Sequence, residues 1–188
     1  MRVITGMAKG MKLTAAPGQE IRPTADRVKE SIFSAVQFDV EGRRVLDLFA
    51  GSGQMGVEAL SRGAAGCVFV DNSDAAVNTI YKNLEHTGLS NAAKVVKADY
   101  KAFLQRADKR SFDLVFVDPP YSGGYAEKVI KAVQAFDILA PYAIIVLETA
   151  RDERLKDDYG GIQKGREYVY GSTKITCLHN SGNAPERE

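Results

Sequence analysis

From Arg44 onward, short continuous apolar runs alternate with longer stretches in which apolar residues return every three or four positions. The short runs fit strands buried on both faces, and the longer stretches fit amphipathic helices laid against them. Their alternation predicts an α/β fold with a mostly parallel sheet covered on both sides. Strands are read at Val45–Phe49, Cys67–Asp71, Lys94–Lys97, Leu114–Asp118 and Ala143–Leu147. Between them, Val77, Ile80, Tyr81 and Leu84 share one helical stripe, and Val129, Val133 and Phe136 share another. Gly63 and Gly88 stand where helix C-caps are expected. The pattern then changes: Ile162–Tyr170 and Thr173–Leu178 are strand-like runs joined by Gly171-Ser172, a pair suited to a type II′ turn. The sheet should therefore end in an antiparallel hairpin.

The N-terminal part reads differently. Residues 2 to 16 suggest a small strand pair bent around Gly6 and Gly10, and Thr24 is placed to cap a helix whose Val28, Ile32 and Val36 share a face. This divides the chain into an N-terminal hairpin and helix (1–40), a main domain (41–180) and a polar tail (181–188). A length of 188 residues, 45% of them hydrophobic, suffices for one core with a small appendage. No apolar stretch approaches the ~18 residues of a membrane span, and the N-terminus lacks a signal-peptide core, so a soluble, cytoplasmic protein is expected. Cys67 and Cys177 lie far apart in strand-like runs, which reads as buried free thiols and not as a disulfide or a metal site. The net charge of +1 argues against a protein that wraps long stretches of nucleic acid. Charge is nonetheless uneven: Arg2, Lys9 and Lys12 occur without an acid in the first 19 residues, and Arg22 and Arg27 follow. Such a face could meet phosphates, and a solvated terminus would have the same composition.

Candidate chemistry begins at VLDLFAGSGQMG, residues 45 to 56, where Gly51-x-Gly53-x-x-Gly56 follows a strand and Asp71 lies about twenty residues on. A strand end, glycine turn and helix N-terminus can cradle a nucleotide-like ligand. The spacing admits a dinucleotide, and with it a nicotinamide-dependent oxidoreductase. Asp47 at the strand tip counts against that ligand, because an anion there would repel a pyrophosphate. It suits S-adenosylmethionine, which carries an ammonium and a sulfonium. Asp71, with Asn72 beside it, would accept from ribose hydroxyls. Asp99 would accept from an adenine amino group, with Tyr100 beside the ring; a plain helix cap is the competing account of Asp99.

The fourth strand ends in VFVDPPY, residues 115 to 121. Two prolines terminate a strand by themselves, but that leaves the acid before them and the aromatic after them unexplained. DPPY resembles the signature of methyltransferases that modify an exocyclic or amide nitrogen. The amine lone pair must be freed from conjugation and aimed at the methyl group, which two acceptors on its N–H groups achieve. The Asp118 carboxylate and the Pro119 carbonyl are those acceptors. Pro120 helps fix the backbone, and Tyr121 would stack on a base drawn out of its helix.

Taken with the opening MRVITGMAKGMKL, IRPTADRVKESIF at 21 to 33 and LDLFAGSGQMGVEALSRGA at 46 to 64, the chain resembles the RsmD-type 16S ribosomal RNA (guanine-N2)-methyltransferases, a bacterial family with a Rossmann-like methyltransferase fold. The resemblance implies that Asp47, Gly51, Gly53, Asp71 and Asp99 line an S-adenosylmethionine site. It also implies that Asp118 to Tyr121 hold a guanine, and that the N-terminal hairpin with Arg22, Thr24 and Arg27 faces RNA. The implied partner is 16S ribosomal RNA within an assembling small subunit, met by a monomer that needs no metal. Gln54-Met55 departs from the smaller residues usual in the glycine loop. Adenine-N6 or glutamine-N5 transfer, and a catalytically idle binding module on the same fold, remain as alternatives.

Overall fold

The computed structural model describes residues 1–16, 23–120 and 124–182, excepting the side chains of residues 23–27. One seven-stranded sheet runs through the molecule. Its strands are β1 (Arg44–Leu48), β2 (Gly66–Asp71), β3 (Ala93–Lys97), β4 (Phe112–Val117), β5 (Leu139–Ala150), β6 (Ile162–Tyr170) and β7 (Thr173–Asn180), in spatial order β3-β2-β1-β4-β5-β7-β6. The first five are mutually parallel, and β7 inserts antiparallel between β5 and β6. Chain direction across the sheet reverses between β1 and β4, which opens a crevice beyond their carboxyl ends. The architecture is Rossmann-like with a C-terminal antiparallel pair, as the sequence pattern indicates.

Period-two alternation along the strands feeds two cores. Val45, Phe69, Leu114 and Phe116 point to one face, where they meet α2 (Gln54–Ser61), α3 (Asp74–Thr87), α1 (Pro23–Ala35) and the N-terminal loop. Leu46, Leu48, Val115 and Val117 point to the other, against α4 (Tyr100–Leu104) and α5 (Tyr125–Ala135). Helix α3 ends at Gly88 in a left-handed cap, and α2 closes through Gly63, whose neighbour Ala64 donates back to the Ala59 carbonyl. Gly171 has φ 60° and Ser172 does not share a positive φ, in keeping with a type II′ turn. No helix among the described residues is long and apolar enough to cross a membrane.

Several expectations are corrected. Strand β4 stops at Val117, leaving Asp118 just beyond the ladder, and β5 is much longer than its apolar centre suggests because it pairs with both β4 and β7. Residues 2 to 16 form a loop whose two arms pair antiparallel only briefly, through the bridge Arg2 to Lys12 and the bonds Val3 N to the Met11 carbonyl (2.9 Å), Gly10 N to the Val3 carbonyl (2.8 Å) and Leu13 N to the Met1 carbonyl (3.1 Å), so the expected strand pair is present in short form. Helix α1 begins at Pro23, where a missing N–H costs nothing, so Thr24 lies inside its first turn and not ahead of it as a cap. On α3, Tyr81 faces solvent, and the buried stripe instead includes the polar Asn83. Asn83 accepts from Thr14 N at 2.8 Å and donates to the carbonyls of Thr14 (3.0 Å) and Ser52 (2.8 Å), so it fastens the N-terminal loop to the glycine turn.

The same loop is anchored along α2. Glu58, fully buried, accepts from Ile4 N (2.7 Å) and Thr5 N (3.0 Å), and Ser61 Oγ accepts from Ala8 N at 2.9 Å. Gly6 passes so close that a Cβ there would sit 1.7 Å from the Ser61 carbonyl oxygen, and its φ of +87° disfavours any side chain.

Candidate active site

The chain leaves β1 through a strained turn. Phe49 adopts φ 69°, unusual for an aromatic residue, and Gly51 (56°) and Gly53 (75°) continue the reversal. Two carboxylates hold this turn from either side. Asp47 Oδ2 accepts from Gly56 N at 2.9 Å, and Asp71 Oδ2 accepts from Gly51 N at 2.8 Å while its Oδ1 accepts from Ser73 N. Gly56 has no room for a side chain, since a Cβ would lie 2.2 Å from the Phe69 ring. Helix α2 is therefore drawn tightly against β2.

Beside the turn lies a cleft of about 380 Å³ at the carboxyl ends of β1, β2, β3 and β4. One wall carries Gly51, Asp71 and Asn72; a second carries Asp99 and Tyr100 at the start of α4; the foot is Asp118-Pro119-Pro120. Phe49 and Tyr125 complete an aromatic slot around Tyr100, with ring centroids 5.2 Å (Phe49–Tyr100), 6.1 Å (Tyr100–Tyr125) and 6.4 Å (Phe49–Tyr125) apart. Aromatic faces flanked by carboxylates that can accept from hydroxyls and amines make a pocket suited to a nucleoside bearing positive charge.

Gly51, Asp71, Asn72, Asp99, Tyr100, Asp118, Pro119 and Pro120 thus come together around one cleft. Asp47 and Gly53 are not in its wall. Asp47 is buried behind the glycine turn and spends its carboxylate on Gly56, so its expected place against a ligand cation gives way to a structural tie. Asp99 does cap α4, its Oδ1 accepting from Lys101 N and Ala102 N, and it lines the cleft as well. Lys9 and Lys12 are exposed on the N-terminal loop outside the cleft. Tyr121 and Arg22 lie outside the described residues, as do the side chains of Thr24 and Arg27. Phe49 and Tyr125 are site residues that sequence reasoning did not assign. Their signal was an aromatic wedged between strand and glycine turn, and a tyrosine directly after two glycines.

The electrostatics beneath the cleft are acidic. Burial pushes the Asp47 carboxyl up to about 7, a rise tempered by the Gly56 N–H and reinforced by the negative charge of Asp71. Asp118 is also held well above the usual carboxylate range, first by the protein packed around its carboxyl and then by the charges of Glu148 and Asp47. Carboxylates crowded in this way are relieved by a cation placed among them.

Comparison with known proteins places the chain among RNA-modifying relatives. The family model described as Conserved hypothetical protein 95 matches residues 1–179. The chain is similar to YlbH of Bacillus subtilis, 39% identical over 184 residues that cover 97% of this chain and 100% of the relative. It is similar also to ribosomal RNA small subunit methyltransferase D of Haemophilus influenzae, 36% identical over 82% of this chain and 81% of that one. The solved structure of yhhF from Escherichia coli superposes with a TM-score of 0.87 at 33% identity, covering 97% of this chain and 99% of its own.

Proposed function

Since this chain belongs to the Conserved hypothetical protein 95 family, the RsmD family, which includes ribosomal RNA small subunit methyltransferases, we propose that it methylates the exocyclic N2 of a guanine in 16S ribosomal RNA, using S-adenosylmethionine, in the cytoplasm. The observation that carries the reading is the position of Asp118-Pro119-Pro120 at the foot of the same cleft that holds Asp71, Asp99 and the aromatic slot. The relatives reported above give no support to a nicotinamide-dependent oxidoreductase.

The residues fit the cofactor. Phe49 and Tyr100 offer faces to an adenine ring, Asp71 and Asn72 offer acceptors for ribose hydroxyls, and Asp99 adds an acceptor at the adenine end. S-adenosylmethionine supplies an electrophilic methyl group on a sulfonium. The protein's task is then to prepare a poor nucleophile. The Asp118 carboxylate and the Pro119 carbonyl accept from the two amine hydrogens, pyramidalise the nitrogen and point its lone pair at the methyl. The fixed φ of the two prolines holds that carbonyl in direction. As the N–C bond forms and the methyl–sulfur bond breaks to leave S-adenosylhomocysteine, the ionised Asp118 would take the departing proton and pass it to water.

The test incubates the protein with radiolabelled S-adenosylmethionine and, in parallel, small ribosomal subunits from a methylation-deficient strain and free 16S RNA, followed by nucleoside analysis. Label in N2-methylguanosine is expected, with the particle preferred. Label in N6-methyladenosine, or none in either RNA while the cofactor binds, would overturn the assignment.

A further inference from the structure

The sheet carries a second hollow at its opposite end. Between β3 and β4 the covering helix, α4, has only five residues and spans about 7.5 Å, whereas strands of five to six residues run about 17–20 Å. The lower part of β2 and β3 on that face is therefore only partly covered, with Val68 half-buried. What remains is a depression of about 560 Å³. Gly66 and Val68 of β2 contribute to its floor, and the half-buried Phe103 stands over it, 6.3 Å from the buried Phe112.

Its rim is cationic. Lys94, in register with Val68, and Arg106, just past α4, line the hollow, and neither has an ion-pair partner among the described residues. Arg44 lines it as well and is held by Asp113 through paired hydrogen bonds of 2.8 and 2.9 Å. The lining carries Arg44, Lys94 and Arg106 against a single acid, Asp108.

An aromatic wall with cations at its rim has the chemistry of a site for one nucleotide, base against ring and phosphate against ammonium or guanidinium. We infer that this hollow binds a nucleotide of the RNA substrate away from the reacting base, an anchor at the end of the sheet opposite the cleft. The inference rests on RNA being the substrate. Binding can nonetheless be read without methyl transfer, so the two ideas fail separately.

The experiment uses the full chain and an end-labelled 16S RNA transcript, with affinity measured across a salt series. Lys94→Gln/Arg106→Gln should lower the slope of log affinity against log salt by about 1.4, the release expected for two single-strand phosphate contacts. Ala92→Trp, which fills the hollow from an exposed rim position, should weaken binding about tenfold by displacing a stacked base. The charge-matched control Lys131→Gln/Lys156→Gln, on cations paired with Glu127, should leave the slope unchanged. All variants should keep the wild-type melting profile and S-adenosylhomocysteine binding.

An unchanged slope in the Lys94/Arg106 variant would overturn the inference. So would wild-type protein that does not bind the transcript saturably. Loss of particle methylation with unaltered binding of naked RNA would reassign the hollow to a protein of the particle. Saturable binding of adenosine monophosphate that Ala92→Trp abolishes, with RNA binding untouched, would reassign it to a free nucleotide. Saturable RNA binding whose slope falls as expected in the Lys94→Gln/Arg106→Gln variant, together with no methyl transfer by the wild type, would remove the proposed activity and leave the anchor standing.

Discussion

Glu58→Gln tests how the N-terminal loop is held. Glu58 has no exposed surface and accepts from Ile4 N at 2.7 Å, Thr5 N at 3.0 Å and Arg62 Nε at 2.8 Å, with Lys29 Nζ, itself 1% exposed, at 3.6 Å. A glutamine keeps one acceptor oxygen and turns an NH₂ toward the remaining donors. At least one backbone N–H then loses its acceptor, at about 1–3 kcal/mol. Lys29 also loses a counter-charge in a buried site, a change that costs about 3–5 kcal/mol when one member of such a pair is removed. The two costs overlap, so the expected loss is about 3–5 kcal/mol and not their sum. At about 2–4 °C per kcal/mol for a chain of this size, the melting temperature should fall by about 6–20 °C. Denaturant unfolding gives the free energy, and trypsin cleavage after Arg2, Lys9 or Lys12 reports release of the loop. A cycle sharpens the test: Lys29→Met should cost less in the Glu58→Gln background than in the wild type, because the charge it removes is already stranded. A loss below about 1 kcal/mol, with the loop still protected from trypsin, would refute the reasoning.

Three further perturbations follow from the same geometry. Asp118→Ala should reduce methyl transfer at least about 100-fold with cofactor binding retained, since only the aim of the nucleophile is lost; equilibrium dialysis beside the transfer assay separates the two. Asp47 ionises at about 7 in the fold against about 3.9 in an unfolded chain, so the native state holds the proton more tightly; the stability this provides is full below pH 4 and is lost as pH rises through 7. Asp47→Asn, which keeps an acceptor for Gly56 N, should flatten that decline and gain at least about 1 kcal/mol at pH 8, under a ceiling of about 4 kcal/mol; denaturant melts at pH 5 and pH 8 check it. Gly6→Ala should undock the loop by driving a methyl into the Ser61 carbonyl, seen as a lowered melting temperature and early cleavage at Lys9 or Lys12.

The strands were legible because a buried parallel sheet demands uninterrupted apolar runs, and five such runs with two alternating ones allow few arrangements. Asp71, Asp99 and Asp118 were legible because residues at or just beyond the carboxyl ends of parallel strands fall beside the crevice. Asp47 was misplaced by the same rule: it too stands near a strand tip, but one residue of register separates a side chain that lines the cleft from one buried behind the turn. The N-terminal strand pair is shorter than its sequence suggests because, beyond a few bonds between its two arms, its groups are satisfied by Glu58, Ser61 and Asn83, partners some fifty to seventy residues away that no local pattern reveals. The second hollow was hidden for a related reason: it is made by what α4 fails to cover, and a sequence spells out elements, not the gaps between them.

Charge gives the two ends of the sheet opposite tasks. The described lining of the cleft holds Asp71, Asp99 and Asp118 and no Lys or Arg, which disfavours a phosphate, so on the proposed reading a neutral base is the part of an RNA that enters it. The backbone on either side of that base must then be held by cations placed outside the acidic field. At physiological salt a charge is screened over about 8 Å, less than half the 17–20 Å length of the central strands. Lys94 and Arg106 at the far end are thus out of electrical reach of the carboxylates that line the cleft. The partly covered end of the sheet follows from the shortness of α4, and it lets one small domain present an anion-repelling pocket and an anion-binding surface without either cancelling the other.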